Sequence, residues 1–150
     1  MKDAMRQWIA WRSGIGRLND CGLRIADCGK GVMNKDDLKQ RTKRFALLTI
    51  QLVESLPKGK TTEVFGRQLL RSGTSVGANY RAACRAKSNA DFISKMGIVE
   101  EELDESIYWM ELLVESKIIE PAKTELLMKE ANELLAITVA SIKTAKHNMP

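Results

Sequence analysis

Apolar or small residues recur at steps of three and four in four stretches of the chain, the spacing of one face of an α-helix. In the first stretch they are Leu38, Phe45, Leu48, Leu52, Val53 and Leu56. In the second they are Phe65, Leu69, Gly73, Val76, Tyr80 and Ala83. In the third they are Phe92, Met96, Val99, Leu103, Ser106 or Ile107, Met110 and Leu113, and in the fourth Leu127, Ala131, Leu134, Thr138, Ile142 and Ala145. Four such helices with short links predict an all-α, up-down-up-down antiparallel four-helix bundle.

Residues between these stretches predict where the helices begin and break. Thr61 or Thr62 is expected to cap the second helix with its hydroxyl, and Ser88 with Asp91 is expected to form a capping box before the third. Pro121 is placed in the first turn of the fourth helix. The breaks are expected at residues 57–60 and 118–121.

Two glycines interrupt the buried face of the second helix. Gly73 and Gly77 each lower helix propensity by about 1 kcal/mol, so their presence needs a structural reason. We expect a neighbouring helix to approach closely there, in preference to a bend.

Residues 1–32 lack the helical period and contain Trp8, Trp11 and five of the ten glycines. They are predicted to be a poorly ordered extension, and residues 33–150 to be the bundle domain. Asn34-Lys35-Asp36-Asp37 is a credible helix start directly after Met33. One explanation is that Met33 is the natural first residue and that 1–32 is leader or added sequence. The other is a genuine, flexible N-terminal arm.

Charge is distributed unevenly along the chain, although the formal net charge is only +5. Residues 34–90 contain 12 basic and 4 acidic residues, whereas residues 91–150 contain 6 and 12. The middle of the chain is therefore strongly basic and the last third is acidic. We expect two surfaces of opposite sign.

A row of arginines is predicted on the second helix, opposite its buried face. With cations of the first helix and the links, it forms a predicted phosphate-binding surface for RNA or DNA, because Arg pairs bidentately with phosphate. The alternative is a solvated face or a protein interface. The candidate residues are Lys39, Arg41, Lys43, Arg44, Lys58, Lys60, Arg67, Arg71, Arg81, Arg85 and Lys87.

An acidic row is predicted on the outward face of the third helix. This row and the arginine row are expected to attract each other, either within one subunit or between subunits. Between subunits, the contact would use part of the arginine row for assembly. The outward residues are Glu101, Asp104, Tyr108, Glu111 and Glu115.

The residue types of known catalytic and metal sites are missing or badly placed. Cys21, Cys28 and Cys84 form no CxxC pair, and the lone His147 has Thr144 where a di-iron motif places Glu. The glycines match neither GxxxxGK[ST] nor GxGxxG. We predict no catalytic residue, no metal and no cofactor.

The chain lacks the hydrophobic segments that direct proteins to membranes. No stretch approaches 18 apolar residues, and residues 1–32 show no continuous apolar run followed by a cleavage pattern. The sequence therefore predicts a cytoplasmic protein with reduced thiols and without a membrane partner.

Three segments carry a resemblance to a known family. They are RSGTSVGAN at residues 71–79, ADFISKM at residues 90–96 and ESIYWMELL at residues 105–113. Together they resemble the bacterial four-helix-bundle proteins encoded in intervening sequences of 23S ribosomal RNA genes. The resemblance covers residues 37–146, and residues 1–32 have no counterpart in the family pattern.

The resemblance implies a left-handed bundle, a ring-like homopentamer, no enzymatic activity and nucleic-acid binding. Relatives of the same fold are accessory proteins of diversity-generating retroelements that bind RNA and a reverse transcriptase. Many members have Glu where this chain has Ala82, so a polar contact made there in relatives is absent. The motif positions, interpreted as structural and assembly residues, are Ser75, Ala78, Asn79, Phe92, Glu102, Glu105, Tyr108 and Trp109.

Two functions follow from the sequence. The first is a non-enzymatic oligomeric bundle that binds RNA or DNA backbone through its basic surface. The alternative is a protein-interaction module, for example a reverse-transcriptase accessory protein.

Overall fold

The computed structural model describes residues 34–148, and four α-helices account for most of them. No strand occurs within that range, so the prediction of an all-α four-helix bundle is confirmed. The predicted extension, residues 1–32, lies outside the described residues. The helices are α1 (Lys35–Glu54), α2 (Lys60–Ala83), α3 (Asn89–Glu115) and α4 (Glu125–His147), with a 3₁₀ turn at Pro121–Lys123 before α4.

The core combines large apolar side chains with buried hydroxyls. All six positions predicted for α4 are buried, whereas Phe65 and Phe92 are only half-buried and pack at the edge of the core. Thr42 and Thr49 of α1 are fully buried as well. The Thr49 hydroxyl donates to the Phe45 carbonyl at 2.9 Å. Its burial therefore leaves no polar atom unsatisfied.

The start of α1 is fixed by a capping box. The Asn34 side chain accepts hydrogen bonds from the Asp36 and Asp37 N–H groups, both at 2.8 Å. The Asp37 carboxylate accepts from the Asn34 N–H at 3.1 Å. These bonds satisfy N–H groups that have no partner within the helix, so the predicted helix start after Met33 is confirmed.

The predicted starts of the other helices need correction. Gly59, not a threonine hydroxyl, stands at the N-cap of α2, and no side chain caps that helix. Ser88 accepts from the Asp91 N–H as expected, but the Asp91 carboxylate accepts from the Lys87 N–H and so forms no reciprocal box. Pro121 begins the 3₁₀ turn and precedes α4.

The predicted close approach of a helix to Gly73 and Gly77 is confirmed, and the approaching helix is α1. A Cβ on Gly73 would lie 2.6 Å from both Cγ2 and Oγ1 of Thr49. On Gly77 it would lie 3.4 Å from the Thr42 carbonyl oxygen. Gly66 faces Leu56 further along. These contacts run in opposite order along the two helices, so α1 and α2 are antiparallel neighbours.

A pair of buried hydroxyls joins α2 to α3. Ser72 and Ser106 are both fully buried, and their Oγ atoms lie 2.9 Å apart. Each is also within hydrogen-bond distance of a carbonyl of its own helix, at Leu69 and Glu102 respectively. Two small side chains at this level let the helices pack closely without an unsatisfied polar group.

The contact between α1 and α4 is much sparser than those between consecutive helices. Arg41 bridges it. Its guanidinium donates to Glu130 at 3.0 Å and also to Glu133. The Arg41 and Glu130 side chains are only 12% and 17% exposed. Burial by itself would lower the pKa of Arg41, but the bonds and charges of Glu130 and Glu133 outweigh it and raise that pKa above its ordinary value.

The glycine contact yields a paired prediction. Gly73→Ala adds a methyl against Thr49 and should lower the free energy of unfolding by about 1–3 kcal/mol, despite the better helix propensity of Ala. A Cβ on Gly97, inside α3, meets nothing within 4 Å. Gly97→Ala should therefore raise the free energy of unfolding by about 0.5–1 kcal/mol. Urea denaturation of both variants measures the difference. Equal effects of the two substitutions would contradict the proposed steric role of Gly73.

The α1–α4 bridge yields a second prediction. Arg41→Met should lower the free energy of unfolding by about 1–3 kcal/mol, because Glu130 stays largely buried without its partner. Arg41→Met combined with Glu130→Met removes the two mostly buried charges, leaves only the half-exposed Glu133 and should recover most of the loss. A double-mutant cycle in urea denaturation gives the coupling. Additive losses would show that the bridge contributes nothing.

Candidate nucleic-acid interface

Five cations surround a cleft between the N-terminal half of α1 and the C-terminal end of α2. Lys35, Lys39 and Lys43 follow at steps of four on α1, and Arg81 and Arg85 at the same step on α2. A step of four is about one turn, or 6 Å along the axis, so each helix presents its cations in a row. The cleft has a volume of about 370 Å³. We call these five residues the basic cleft; Gln40 and Cys84 complete its lining.

The cations of the basic cleft differ in their partners. Lys35 Nζ donates to the Cys84 carbonyl at the end of α2, at 2.6 Å. Lys39 pairs with Asp36 at 2.9 Å, at a well-exposed carboxylate. Across residues 34–148, no ion pair or side-chain hydrogen bond holds Lys43, Arg81 or Arg85. Three positive charges thus meet in one concavity without a carboxylate.

Two arginines predicted to bind nucleic acid are already paired with carboxylates. Arg41 lies in the α1–α4 bridge. Arg71 donates to Glu105 of α3 and approaches both oxygens of Glu102 at 3.4 Å. Neither lines the basic cleft. Arg71 therefore pairs within the subunit with two carboxylates that lie beside the outward acidic row of α3 and are not members of it. Among the described residues no ion pair joins the arginine row to that acidic row, so the predicted attraction between the two rows stays a prediction.

The remaining predicted cations lie apart from the cleft. Lys58, Lys60 and Arg67 are exposed at the opposite end of the α1–α2 pair. Lys87 is exposed after α2, and Arg44 is half-buried on α1. The structure thus brings together four of the eleven predicted residues, Lys39, Lys43, Arg81 and Arg85, and adds Lys35. Lys35 was missed although it continues the four-residue step of Lys39 and Lys43.

Four of the motif residues form one contact between α2 and α3. Trp109 Nε1 donates to Glu105 at 3.0 Å, and Arg71 donates to the same carboxylate oxygen. The Trp109 ring lies 5.7 Å from the Phe65 ring and 5.1 Å from the Tyr108 ring, centre to centre. Glu102 completes the group through Arg71. The sequence did not predict that Arg71 and Phe65 are the partners on α2.

The two carboxyl groups of this contact respond in opposite ways. Hydrogen bonds from Arg71 and then from Trp109 lower the pKa of Glu105 below its ordinary value. Burial raises the pKa of Glu102, and the charge of Arg71 only partly offsets it. Glu105 is therefore the more firmly ionised partner of Arg71.

The other motif positions are arranged locally. Asn79 Nδ2 donates to the Ser75 carbonyl of its own helix at 3.0 Å. Ala78 is exposed on α2, and Phe92 is half-buried at the core edge near the start of α3. Between Arg71 and Arg81, α2 has a stretch without charged residues, which includes Ser75, Ala78 and Asn79.

A groove of opposite sign lies between α3 and α4. Glu100, Glu101 and Asp104 line it together with Gly97, and Leu135 and Val139 supply its apolar wall. Its volume is about 510 Å³. We call it the acidic groove. The bundle therefore has a positive concavity on its first helix pair and a negative one on its second.

Metal binding and membrane insertion each require a recognisable structural feature. In the part of the chain that the structure describes, no three His, Cys, Asp or Glu side chains are placed to hold a metal ion. Over the same residues, no helix combines the length and apolarity needed to cross a membrane.

Comparison with known proteins places the bundle in a family. The family model for "23S rRNA-intervening sequence protein" matches residues 34–140, which include most of the described bundle. A solved structure from Bacteroides thetaiotaomicron, of a protein of unknown function in the S23 ribosomal protein family, is similar with a TM-score of 0.68 and 35% identity. That similarity covers 73% of this chain and 97% of the relative. No curated protein matches the chain.

These two matches cover most of the chain and agree with each other and with the three motif segments. The chain belongs to the 23S rRNA-intervening sequence protein family.

Proposed function

We propose that this protein is a non-enzymatic, cytoplasmic helical bundle that binds the phosphate backbone of RNA or DNA through the basic cleft. The observation that carries the proposal is the gathering of Lys43, Arg81 and Arg85 in one concavity without a carboxylate partner. Arg41 and Arg71, by contrast, are each paired with two carboxylates. Unpaired like charges repel one another, so an anionic ligand would stabilise this arrangement.

Such a site recognises charge and spacing, with little selectivity for base sequence. Lys and Arg bind phosphate oxygens that every nucleotide carries. Binding releases counterions from the nucleic acid, so affinity falls steeply as salt rises. These two properties are the expected signature of the cleft.

For the assembly we infer an up-down-up-down, left-handed bundle that forms a homopentameric ring. The antiparallel order of the α1–α2 contacts supports the topology, and the family resemblance supports the ring. The ring inferred here leaves the basic cleft of each subunit open to nucleic acid. A ring in which the acidic groove of one subunit faces the cleft of the next belongs to the second candidate function below.

A second candidate function is a protein-interaction module, favoured by the acidic groove. Its carboxylates flank an apolar wall at Leu135 and Val139, a combination that suits a basic protein segment. The partner would be another subunit or a nucleic-acid enzyme such as a reverse transcriptase. In this case the basic cleft serves docking, and binding to nucleic acid is weak.

The two candidates differ in their response to loss of the cleft charges. We expect Lys43→Ala, Arg81→Ala and Arg85→Ala, made together, to weaken binding to many sequences alike. The slope of log affinity against log salt should become shallower by about 2 to 3, because three phosphate contacts are lost. Fluorescence anisotropy across a salt series measures the slope, and light scattering on the same samples measures the oligomer mass.

The matched control removes three charges at the opposite end of the helix pair, as Lys58→Ala, Lys60→Ala and Arg67→Ala. It changes the net charge equally and should alter the slope by less than half as much. If the cleft variant instead dissociates the oligomer, the protein-interaction function is favoured. An intact oligomer with unchanged nucleic-acid affinity would count against both roles of the cleft.

A further inference from the structure

Exposed apolar side chains adjoin the basic cleft on the same side of α1. Leu47 is one turn beyond Lys43 and is 51% exposed, and Ile50 follows three residues later at 38%. Both lie on the outward side of the helix, away from the buried Phe45 and Thr49. Ala78 of α2 is exposed between the level of this patch and Arg81. The row of cations on α1 therefore continues directly into an apolar patch, which we define as Leu47 and Ile50.

The spacing of the cations in the basic cleft matches the spacing of phosphates along a nucleic-acid strand. Lys35, Lys39 and Lys43 repeat at about 6 Å, which is comparable to the separation of successive phosphates along one nucleic-acid strand. Arg81 and Arg85 form a second row with the same repeat on the antiparallel helix. A single backbone lying in the cleft would have the unpaired Lys43 on one side and Arg81 and Arg85 on the other. Lys35 and Lys39, already bonded to the Cys84 carbonyl and to Asp36, extend the positive charge along the α1 side.

We propose that the basic cleft holds the backbone of a single-stranded nucleic acid and that the bases of that strand pack on Leu47 and Ile50. This inference rests on the proposed nucleic-acid function and specifies its substrate class. An unpaired strand offers both of the required surfaces, namely phosphates for the cations and exposed base faces for the apolar patch.

A duplex fits this surface less well. Its bases are stacked inside and present only their edges in the grooves, so the apolar patch has no base face to cover. Its phosphates lie on a broad convex surface that touches the rims of a concave cleft. The cations would still attract it, since electrostatic attraction needs no exact fit. Single strands should therefore bind more tightly than duplexes, and both should respond to salt.

The test uses the full chain and four probes: a labelled 12-nucleotide RNA of mixed sequence, the DNA strand of the same sequence, and the duplex of each. We expect the single strands to bind roughly tenfold more tightly than their duplexes at the same salt concentration. Leu47→Ser with Ile50→Ser should weaken single-strand binding by about fivefold and leave duplex binding unchanged.

The matched control is Val64→Ser with Leu126→Ser. These side chains are 50% and 56% exposed but lie outside the basic cleft and the apolar patch, so the control should bind all four probes as the parent does. Circular dichroism confirms that both double variants keep their helices. All four substituted positions are exposed, so folding should survive.

The outcomes separate this inference from the function on which it rests. Duplexes that bind as tightly as single strands, or a patch variant that binds like the control, would overturn the single-strand inference and leave the proposed function standing. Absence of binding to all four probes at low salt would overturn the proposed function itself. If the patch variant loses affinity for single strands alone, the inference is supported for the nucleic acid that binds, whether RNA or DNA.

Discussion

The close contact of α1 and α2 at Gly73 and Thr49 is the constraint on which the rest of the structure depends. Because Gly73 has no side chain, Thr49 packs directly against α2, and this close approach fixes which residues of the two helices lie at the same level. The register set there places Lys39 and Lys43 across from Arg81 and Arg85. The basic cleft is thus a consequence of packing in the core. Its cations are brought together by Gly73 and Thr49, which do not themselves line the cleft.

Some positive charges of the bundle are paired with carboxylates and others are not, and this difference separates its surfaces. Arginines that point toward α3 or α4 meet carboxylates, because those helices carry most of the acidic residues. The cations of the basic cleft lie on the first helix pair, which has only four acidic residues, and three of the five cations have no partner. A separation of charge along the sequence therefore becomes a separation of surfaces in space. The acidic groove arises in the same way on the second helix pair.

Much of this arrangement is predictable from the sequence, and the failures have identifiable causes. Helix faces follow from periodicity alone. The glycines of α2 lie on its buried face, which favoured a close approach of a neighbouring helix over a bend. The partners of Arg41 and Arg71 were not predictable, since they depend on which helices are neighbours and how each is rotated. The predicted helix starts were partly wrong for a local reason. A hydroxyl or a proline near the start of a helix is compatible with several backbone arrangements, and tertiary packing selects among them. Lys35 was not predicted because its place in the cleft depends on the end of α2, where it donates to the Cys84 carbonyl.

The buried hydroxyls of Ser72 and Ser106 have a consequence for hydrogen-bond direction. Each hydroxyl has one proton, and each has an acceptor in its own helix as well as the other hydroxyl. When Ser106 donates to Ser72, Ser72 is free to donate to the Leu69 carbonyl. When Ser72 donates to Ser106, Ser106 is free to donate to the Glu102 carbonyl. The Ser72–Ser106 hydrogen bond between α2 and α3 can therefore point in either direction with the same number of hydrogen bonds, and reversing it needs only the rotation of both hydroxyl groups.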